Sequence, residues 1–270
     1  MRGPSRASLA EARQRLAEAA SSEAAARTLG EELFSILGVL DSQIPLRRAL
    51  ADSSRPPERR AALARRLFED QVSEATLHLL VSLCEARWSV SANLAEAIEQ
   101  LAVTAFSAAA ERARHLDDLE DQLFRFGRVV VGAPELRTAL SNPTVPAQYK
   151  QQLLDTLLEG KVTADARRLI GQAAVHPRGR SLDATLDEYA RLVAQWRQRL
   201  VALARVAIPL TERQRERLIA ALADAYGHEV HLDVIVDPRI EGGISVQIGD
   251  EFIDGSVASR LAALRRRLAA

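Results

Sequence analysis

Shifting this chain by 90 residues lines it up with itself, and that self-similarity limits its possible folds more than any single motif. Leu29, Leu33, Phe34 and Val39 fall on Leu119, Leu123, Phe124 and Val129. Leu46, Arg47, Ala49 and Leu50 fall on Leu136, Arg137, Ala139 and Leu140. Pro56, Leu63, Leu67, Val72 and Leu79 fall on Pro146, Leu153, Leu157, Val162 and Leu169. Proline punctuation and apolar anchors are preserved together, which chance helical periodicity does not readily produce, so the pattern reads as a duplicated helical unit. The competing reading is two unrelated leucine-rich helical stretches.

Ser8 and Glu11 have capping-box spacing and predict a short amphipathic helix to Ala20. A second helix is expected over 22–42, with Leu29, Leu33, Leu37 and Leu40 on one stripe. Pro45 opens a short helix through Leu50, Pro56-Pro57 opens another through Phe68, and Ser73 starts a helix to Arg87. In that last helix Leu79, Leu80 and Leu83 form the buried stripe. No Gly or Pro interrupts the chain from Ser91 to Phe126. Two helices meeting near Arg114 to Leu116 fit the spacing, and so does one unbroken helix. Continuity is the expectation. A further long helix is predicted over Ser181 to Ala204, with a heptad-like stripe that packs on its own bundle.

Beyond Ala204 the period changes. Arg205 to Leu210 reads as a strand, and Thr211 with Gln214 caps a helix whose buried face is Leu218, Ile219, Leu222 and Tyr226. Val230, Leu232, Val234 and Val236 alternate as in a half-buried strand, and Ile244, Val246 and Ile248 repeat that period. Gly249-Asp250 turns the chain toward Phe252 and Ile253, and Val257, Leu261, Leu264 and Leu268 predict a closing helix. The expected class is mainly α: two repeated helical-bundle units, 1–113 and 114–204, then a small α/β domain, 205–270, of order β-α-β-β-β-α.

Composition excludes several roles. Basic and acidic residues balance at 36 each and aromatics make up 4%, so bulk attraction to nucleic acid is not expected. Arg59, Arg60, Arg65 and Arg66 read as a solvated helix face beside Glu58, Glu69 and Asp70. Cys84 stands alone in an apolar run and is expected to be a buried structural thiol. Met1 to Ala10 lacks the apolar stretch of a signal peptide, and no run suits a transmembrane helix, so membrane contact is expected only through a partner. Gly242-Gly243 precedes a strand, whereas phosphate loops need a helix after the glycines. His228 and His231 would fall on opposite faces of a strand, and His78 and His115 have no ligand cluster. The run His176-Pro177-Arg178-Gly179-Arg180 reads as a helix break with a basic loop, the alternative being a partner or anion contact. Arg265, Arg266 and Arg267 suit a last helical turn or an acidic partner. No nucleophile triad or carboxylate pair stands out, so neither catalysis, metal nor cofactor is expected.

The segment VDPRIEGGISVQIGDEFIDGS, Val236 to Ser256, strongly resembles the carboxy-terminal signature of bacterial ATP synthase delta subunits, relatives of the mitochondrial oligomycin-sensitivity-conferring protein. The likeness continues through SVASRLAALRRRL, and ELRTALSNPTVPAQYKQQLLDTLL resembles the family's helical-domain pattern. Members are usually shorter, and the extra length corresponds to the duplicated unit. Within the signature, Asp237, Pro238, Gly242, Gly243, Gly249, Asp250, Asp254, Gly255 and Ser256 read as structural residues. The glycine pair supplies unusual dihedrals or close backbone approach, and Asp250 fits a hairpin turn. Asp254-Gly255-Ser256 reverses the chain and caps the last helix.

The resemblance implies a non-catalytic stator subunit of an F-type ATP synthase, present as a single copy in a hetero-oligomeric complex at the cytoplasmic face of the bacterial membrane. Its helical domain would grip the amino-terminal helices of the alpha subunits, and its tail would hold a b-type stalk subunit. In the family, the first and fifth helices form the groove for the alpha-subunit peptide. The leading helix has no clear counterpart at the start of the second copy. The head clamp is therefore expected in the first copy, around Leu9, Leu16, Leu79 and Leu83, with the second copy as spacer or additional stalk contact. The rival function is a helical adaptor or regulatory scaffold unrelated to ATP synthase.

Overall fold

A computed structural model describes residues 4–198, 200–226, 230–237, 242–248 and 251–256. Contacts divide the chain into two units, 1–197 and 198–270. The first is helical: α1 (Pro4–Ala19), α2 (Glu23–Ser42), α3 (Ile44–Ala51), α4 (Pro57–Phe68), α5 (Glu74–Glu85) and α6 (Ser91–Arg112) are followed by α7 (Leu116–Gly132), α8 (Pro134–Ser141), α9 (Ala147–Leu158), α10 (Ala164–Val175) and α11 (Leu182–Gln198). Helices α2 to α5 end at 42, 51, 68 and 85, and α7 to α10 end at 132, 141, 158 and 175, each displaced by 90.

The duplication extends to local hydrogen bonding. Glu32 on α2 accepts from the Ser73 backbone N–H at 2.9 Å and the Ser73 hydroxyl at 2.7 Å, tying down the start of α5. Ninety residues on, Gln122 on α7 accepts from the Thr163 N–H at 2.8 Å and its hydroxyl at 3.1 Å at the start of α10. Asp52 Oδ1 accepts from the Ser54 N–H and Asn142 Oδ1 from the Thr144 N–H, giving matched Asx turns ahead of α4 and α9. Arg60 and Lys150 are both buried. Arg60 is not part of a solvated face: its guanidinium donates to the Ala86 and Glu85 carbonyls at 2.8 and 3.2 Å, satisfying orphan acceptors at the end of α5.

The two copies share a helix. Moving α1 by 90 residues places it on 94–109, inside α6, with Leu9 on Glu99, Ala12 on Ala102 and Leu16 on Phe106. The leading helix therefore has a counterpart after all. It escapes notice because α6 is also the last helix of the first copy. Serving two bundles, α6 is buried at every position from Leu101 to Ala110, and one apolar cluster runs unbroken from Leu9 to Trp196.

The expected continuous helix after Ser91 breaks at Ala113–His115. Arg114 adopts φ 60°, the His115 N–H reaches back to the Ala110 carbonyl, and the Arg114 N–H to the Glu111 carbonyl. These are the two bonds of a Schellman ending, here built on arginine rather than glycine. Helix α1 starts before Ser8, whose hydroxyl donates to the Arg87 carbonyl at 3.1 Å.

In the second unit β1 (Leu200–Val206), β2 (Val230–Val236), β3 (Gly243–Ile248) and β4 (Glu251–Ser256) form a sheet of order β2-β1-β3-β4, accompanied by α12 (Glu212–Tyr226). Strands β1 and β2 are parallel, joined through α12, and the other pairs are antiparallel. Thr211 and Gln214 close the expected cap, the Thr211 N–H donating at 2.9 Å. Ala204, Leu222, Val230, Leu232 and Val246 make the core. The first strand starts at Leu200, not Arg205, and the preceding helix stops correspondingly early. Leu200 and Leu203 continue the stripe of α11, but pairing of Leu200–Val206 with β2 and of Ala202–Val206 with β3 wins. Asp254-Gly255-Ser256 does not reverse the chain: it pairs with Ser245, Ile244 and Gly243 inside β4. The expected closing helix, the basic triplet at 265–267 and His228 lie outside the described residues.

Two glycines of α2 test the packing on α6. A Cβ on Gly30 would sit 2.7 Å from the Phe106 ring, whereas one on Gly38 meets nothing within 4 Å. Gly30→Ala is expected to destabilise by about 1–3 kcal/mol and Gly38→Ala to stabilise by about 1 kcal/mol, measured by urea unfolding. Equal effects would contradict the close α2–α6 approach.

Candidate helix-docking surfaces

The second copy already holds a helix in its groove. Helix α2 lies along α6 and bonds across to α10, the counterparts of a copy's first and fifth helices. Phe34 stacks on Phe106 of α6 with ring centroids 5.8 Å apart, and the Arg168 guanidinium of α10 lies 4.9 Å above the Phe34 ring. Arg168 also donates to both oxygens of Glu31 at 2.9 and 2.8 Å. One turn back, Arg27 binds the buried Asp165 through two bonds of 2.9 and 3.1 Å, and His115 Nε2 lies 2.9 Å from the same carboxylate. The Asp165 hydrogen bond raises the Arg27 pKa. Aromatic stacking, a cation above the ring and a bidentate pair thus fix one helix against two others.

A second polar lock closes the far end of this seam. Glu99, 1% exposed, pairs with Arg178 at 2.6 Å and with Arg180, and accepts from the Tyr189 hydroxyl at 2.8 Å. Arg178 also meets Asp41 at 2.8 Å, and Asp41 meets Arg47 at 3.2 Å. The basic run before α11 is therefore spent inside the molecule. Arg178 at φ 51° and Gly179 at φ 76° turn the two guanidiniums inward. Sequence reading missed Glu99, though a carboxylate amid Leu94, Ile98 and Leu101 is a visible signal.

In the first copy the equivalent cleft lies between α1 and α5. Leu9, Leu16, Leu79 and Leu83 do not form its surface: all four are buried in the core. They hold α1 to α5 and α6 beneath the cleft, because the leucine stripe of an amphipathic helix faces its own bundle first. Ser5, also buried, accepts from the Ser89 N–H at 2.9 Å and Asn93 Nδ2 at 3.0 Å and anchors the start of α1. The outward positions differ sharply from those of the filled cleft. Ala105 and Asp165 are buried, whereas their counterparts Arg15 and Ala75 are exposed, as is His78 at the position of Arg168. No described residue of the chain fills this cleft as α2 fills the other.

Comparison with known proteins decides the family. A family model described as ATP synthase delta (OSCP) subunit matches residues 98–268. The ATP synthase subunit delta of Streptomyces griseus is 47% identical over 270 residues, covering 100% of both chains. Those of Acidothermus cellulolyticus and Thermobifida fusca are 45% and 44% identical, again over 100% of each chain. This chain belongs to the ATP synthase delta (OSCP) subunit family.

The delta-family match begins at Ile98, within α6, and so covers the second copy and the tail. Residues 1–97 lie outside that match, and end-to-end alignment places them in these relatives too. In the delta signature, Gly242 and Gly243 take φ 124° and 88°, the left-handed region that favours glycine. The Asp237 N–H donates to the Val206 carbonyl at 2.8 Å, prolonging the β1–β2 ladder. Pro238, Gly249 and Asp250 lie outside the described residues.

Glu99→Ala leaves Arg178 and Arg180 without their carboxylate and should cost about 3–5 kcal/mol in urea unfolding; a loss under 1 kcal/mol would show the lock to be incidental. Burial pushes the Cys84 thiol up to about 12, and burial with the neighbouring Glu99 carboxylate holds the Tyr189 hydroxyl well above its usual range. Both stay protonated in the folded chain where the unfolded chain ionises. Stability should therefore fall as pH rises above about 9, with a shallower slope in Cys84→Ala, followed as the urea midpoint.

Proposed function

We propose that this chain is a non-catalytic stator subunit of an F-type ATP synthase. It ties the amino-terminal helices of the alpha subunits, at the crown of the catalytic head, to the b-type stalk subunit, and it resists rotor torque during proton-driven ATP synthesis. The observation that carries this reading is the end-to-end 47% identity to an ATP synthase subunit delta. The chain serves as a single copy, peripheral at the cytoplasmic face of the membrane, and needs no cofactor. No helix among the described residues is long and apolar enough to cross a membrane, so attachment falls to the partners.

The head contact is assigned to the first copy. Family resemblance puts the alpha-subunit peptide between first and fifth helices, which in this chain means either α1–α5 or α6–α10. The family-model match favours the latter, but α2 occupies it through Phe34, Glu31 and Arg27. That leaves α1–α5, whose outward face offers Ala75 and His78 on one wall and Arg15 on the other. The partner is an amphipathic helix, recognised through its apolar face with charged rims setting register. The tail unit is assigned to the b-type helix.

The test is binding of the purified chain to the soluble catalytic head, followed by calorimetry. Ala75→Glu with His78→Glu changes only exposed positions and should weaken head binding at least about tenfold, the 1.4 kcal/mol expected of a mispaired charge at an interface, with unchanged thermal stability. Removing residues 1–20 should abolish binding, while the tail still captures the b-type subunit. Undiminished head binding by both variants, or co-purification from membranes with proteins unrelated to ATP synthase, would overturn the assignment.

A further inference from the structure

The 90-residue repeat sets α7 and α11 of the second copy on α2 and α6 of the first. In the first copy the outer face of that pair is covered: Phe34, 4% exposed, and Glu31 both receive Arg168 of α10. Their counterparts are Phe124 and Asp121, and among the described residues of the helical unit no arginine sits over this ring as Arg168 sits over Phe34. Phe124 is 56% exposed. It overlooks a groove of about 460 Å³ between α7 and α11, where Ala190 and Ala194, four residues apart, leave room for another helix to approach.

The lining favours a cation. Four carboxylates line the groove against two guanidiniums, and both guanidiniums are already engaged, Arg197 by Asp117 and Glu120 at 3.0 and 3.1 Å and Arg191 by Glu188. Asp121 pairs at 2.8 Å with Arg125 of its own helix, an exposed contact that a covered cation replaces at little cost. An exposed phenylalanine three residues after a carboxylate on one helix face is the receptor that, in the first copy, binds an arginine.

We propose that the α7–α11 groove docks an amphipathic helix of another subunit, one that presents an arginine or lysine to Phe124 and Asp121. The cation sits over the ring and against the carboxylate, as Arg168 does on Phe34 and Glu31, and the flanking apolar residues of that helix pack on Ala190 and Ala194. The inference rests on the reading that the chain works in a multi-subunit assembly. It adds a contact distinct from the α1–α5 cleft and from the tail.

Position-specific photo-crosslinking separates the two claims. A benzoylphenylalanine is placed at position 124, and in a second protein at position 78 beside α1–α5. Each is irradiated in the assembled complex isolated from membranes, and products are mapped by mass spectrometry. From position 124 the expected product joins a helical segment of another subunit within one turn of an arginine or lysine. Asp121→Lys should reduce its yield at least about tenfold, while Asp121→Glu retains it, following the coupling of close charge pairs. No intermolecular product from 124, a product only with residues 198–270 of the same chain, or one with a segment lacking a basic residue would overturn the proposal. A head crosslink from 78 with none from 124 sinks this inference and leaves the stator reading standing; absence of the chain from the complex sinks both.

Discussion

Burial of the Leu101–Ala110 run of α6 on every side is the constraint from which the helical unit follows. A helix with no solvent face must be small or apolar all round, and its few polar groups must find partners inside. The run from Leu101 to Ala110 meets both demands: it is rich in alanine, and the Thr104 and Ser107 hydroxyls return to the Gln100 and Val103 carbonyls at 2.8 and 3.0 Å. Small side chains let α2 approach until Gly30 leaves no space for a methyl group. Helices α1 and α3 pack on one bundle's side of α6 and α7 and α10 on the other's, so each copy borrows the same strut for its core.

Apolar packing alone does not specify which way two such similar bundles join. Alanine-rich surfaces slide at little cost, and the carboxylates of Asp165 and Glu99 remove that freedom. Each is buried and each is met by more than one donor: Arg27 and His115 for the first, Arg178, Arg180 and Tyr189 for the second. Displacement by one helical turn would strand a charge in the interior, a penalty larger than any gain from alternative contacts. These pairs fix register between the copies, and their net contribution to stability is a separate and smaller matter.

Much of this was legible in the sequence, and the exceptions share a cause. Caps at Ser22, Ser73 and Thr211, prolines opening α3 and α4, and the 90-residue correspondence all act locally, so their residues announce them. The break at Arg114 was hidden because a left-handed helix ending normally shows a glycine, and this one is held by backbone bonds around an arginine. The start of β1 was hidden because Leu200 and Leu203 satisfy a helical stripe, and only sheet partners far along the chain decide otherwise. The docking surfaces failed differently. Leucine stripes identify what a helix buries, so Leu9, Leu16, Leu79 and Leu83 pointed to the core. Which outward face lacks a neighbour is set by the other copy, through α2 in one cleft and no described residue in the next.

A duplication of this kind lengthens a brace without adding a joint. Two bundles connected by a loop would move about it, since interfaces between tethered domains are commonly small and polar. When the last helix of one bundle is the first of the next, relative motion requires bending α6 or opening the core that surrounds it. A subunit proposed to withstand torque gains reach at no loss of stiffness. The same sharing explains why two copies do not yield two equal binding sites. Fusing them through α6 lays α2 into the α6–α10 cleft, so the inner groove is consumed by construction. Helices α1 with α5 and α7 with α11 keep outward faces exposed at Arg15, Ala75, His78 and Phe124. Those are the faces proposed here to meet other subunits.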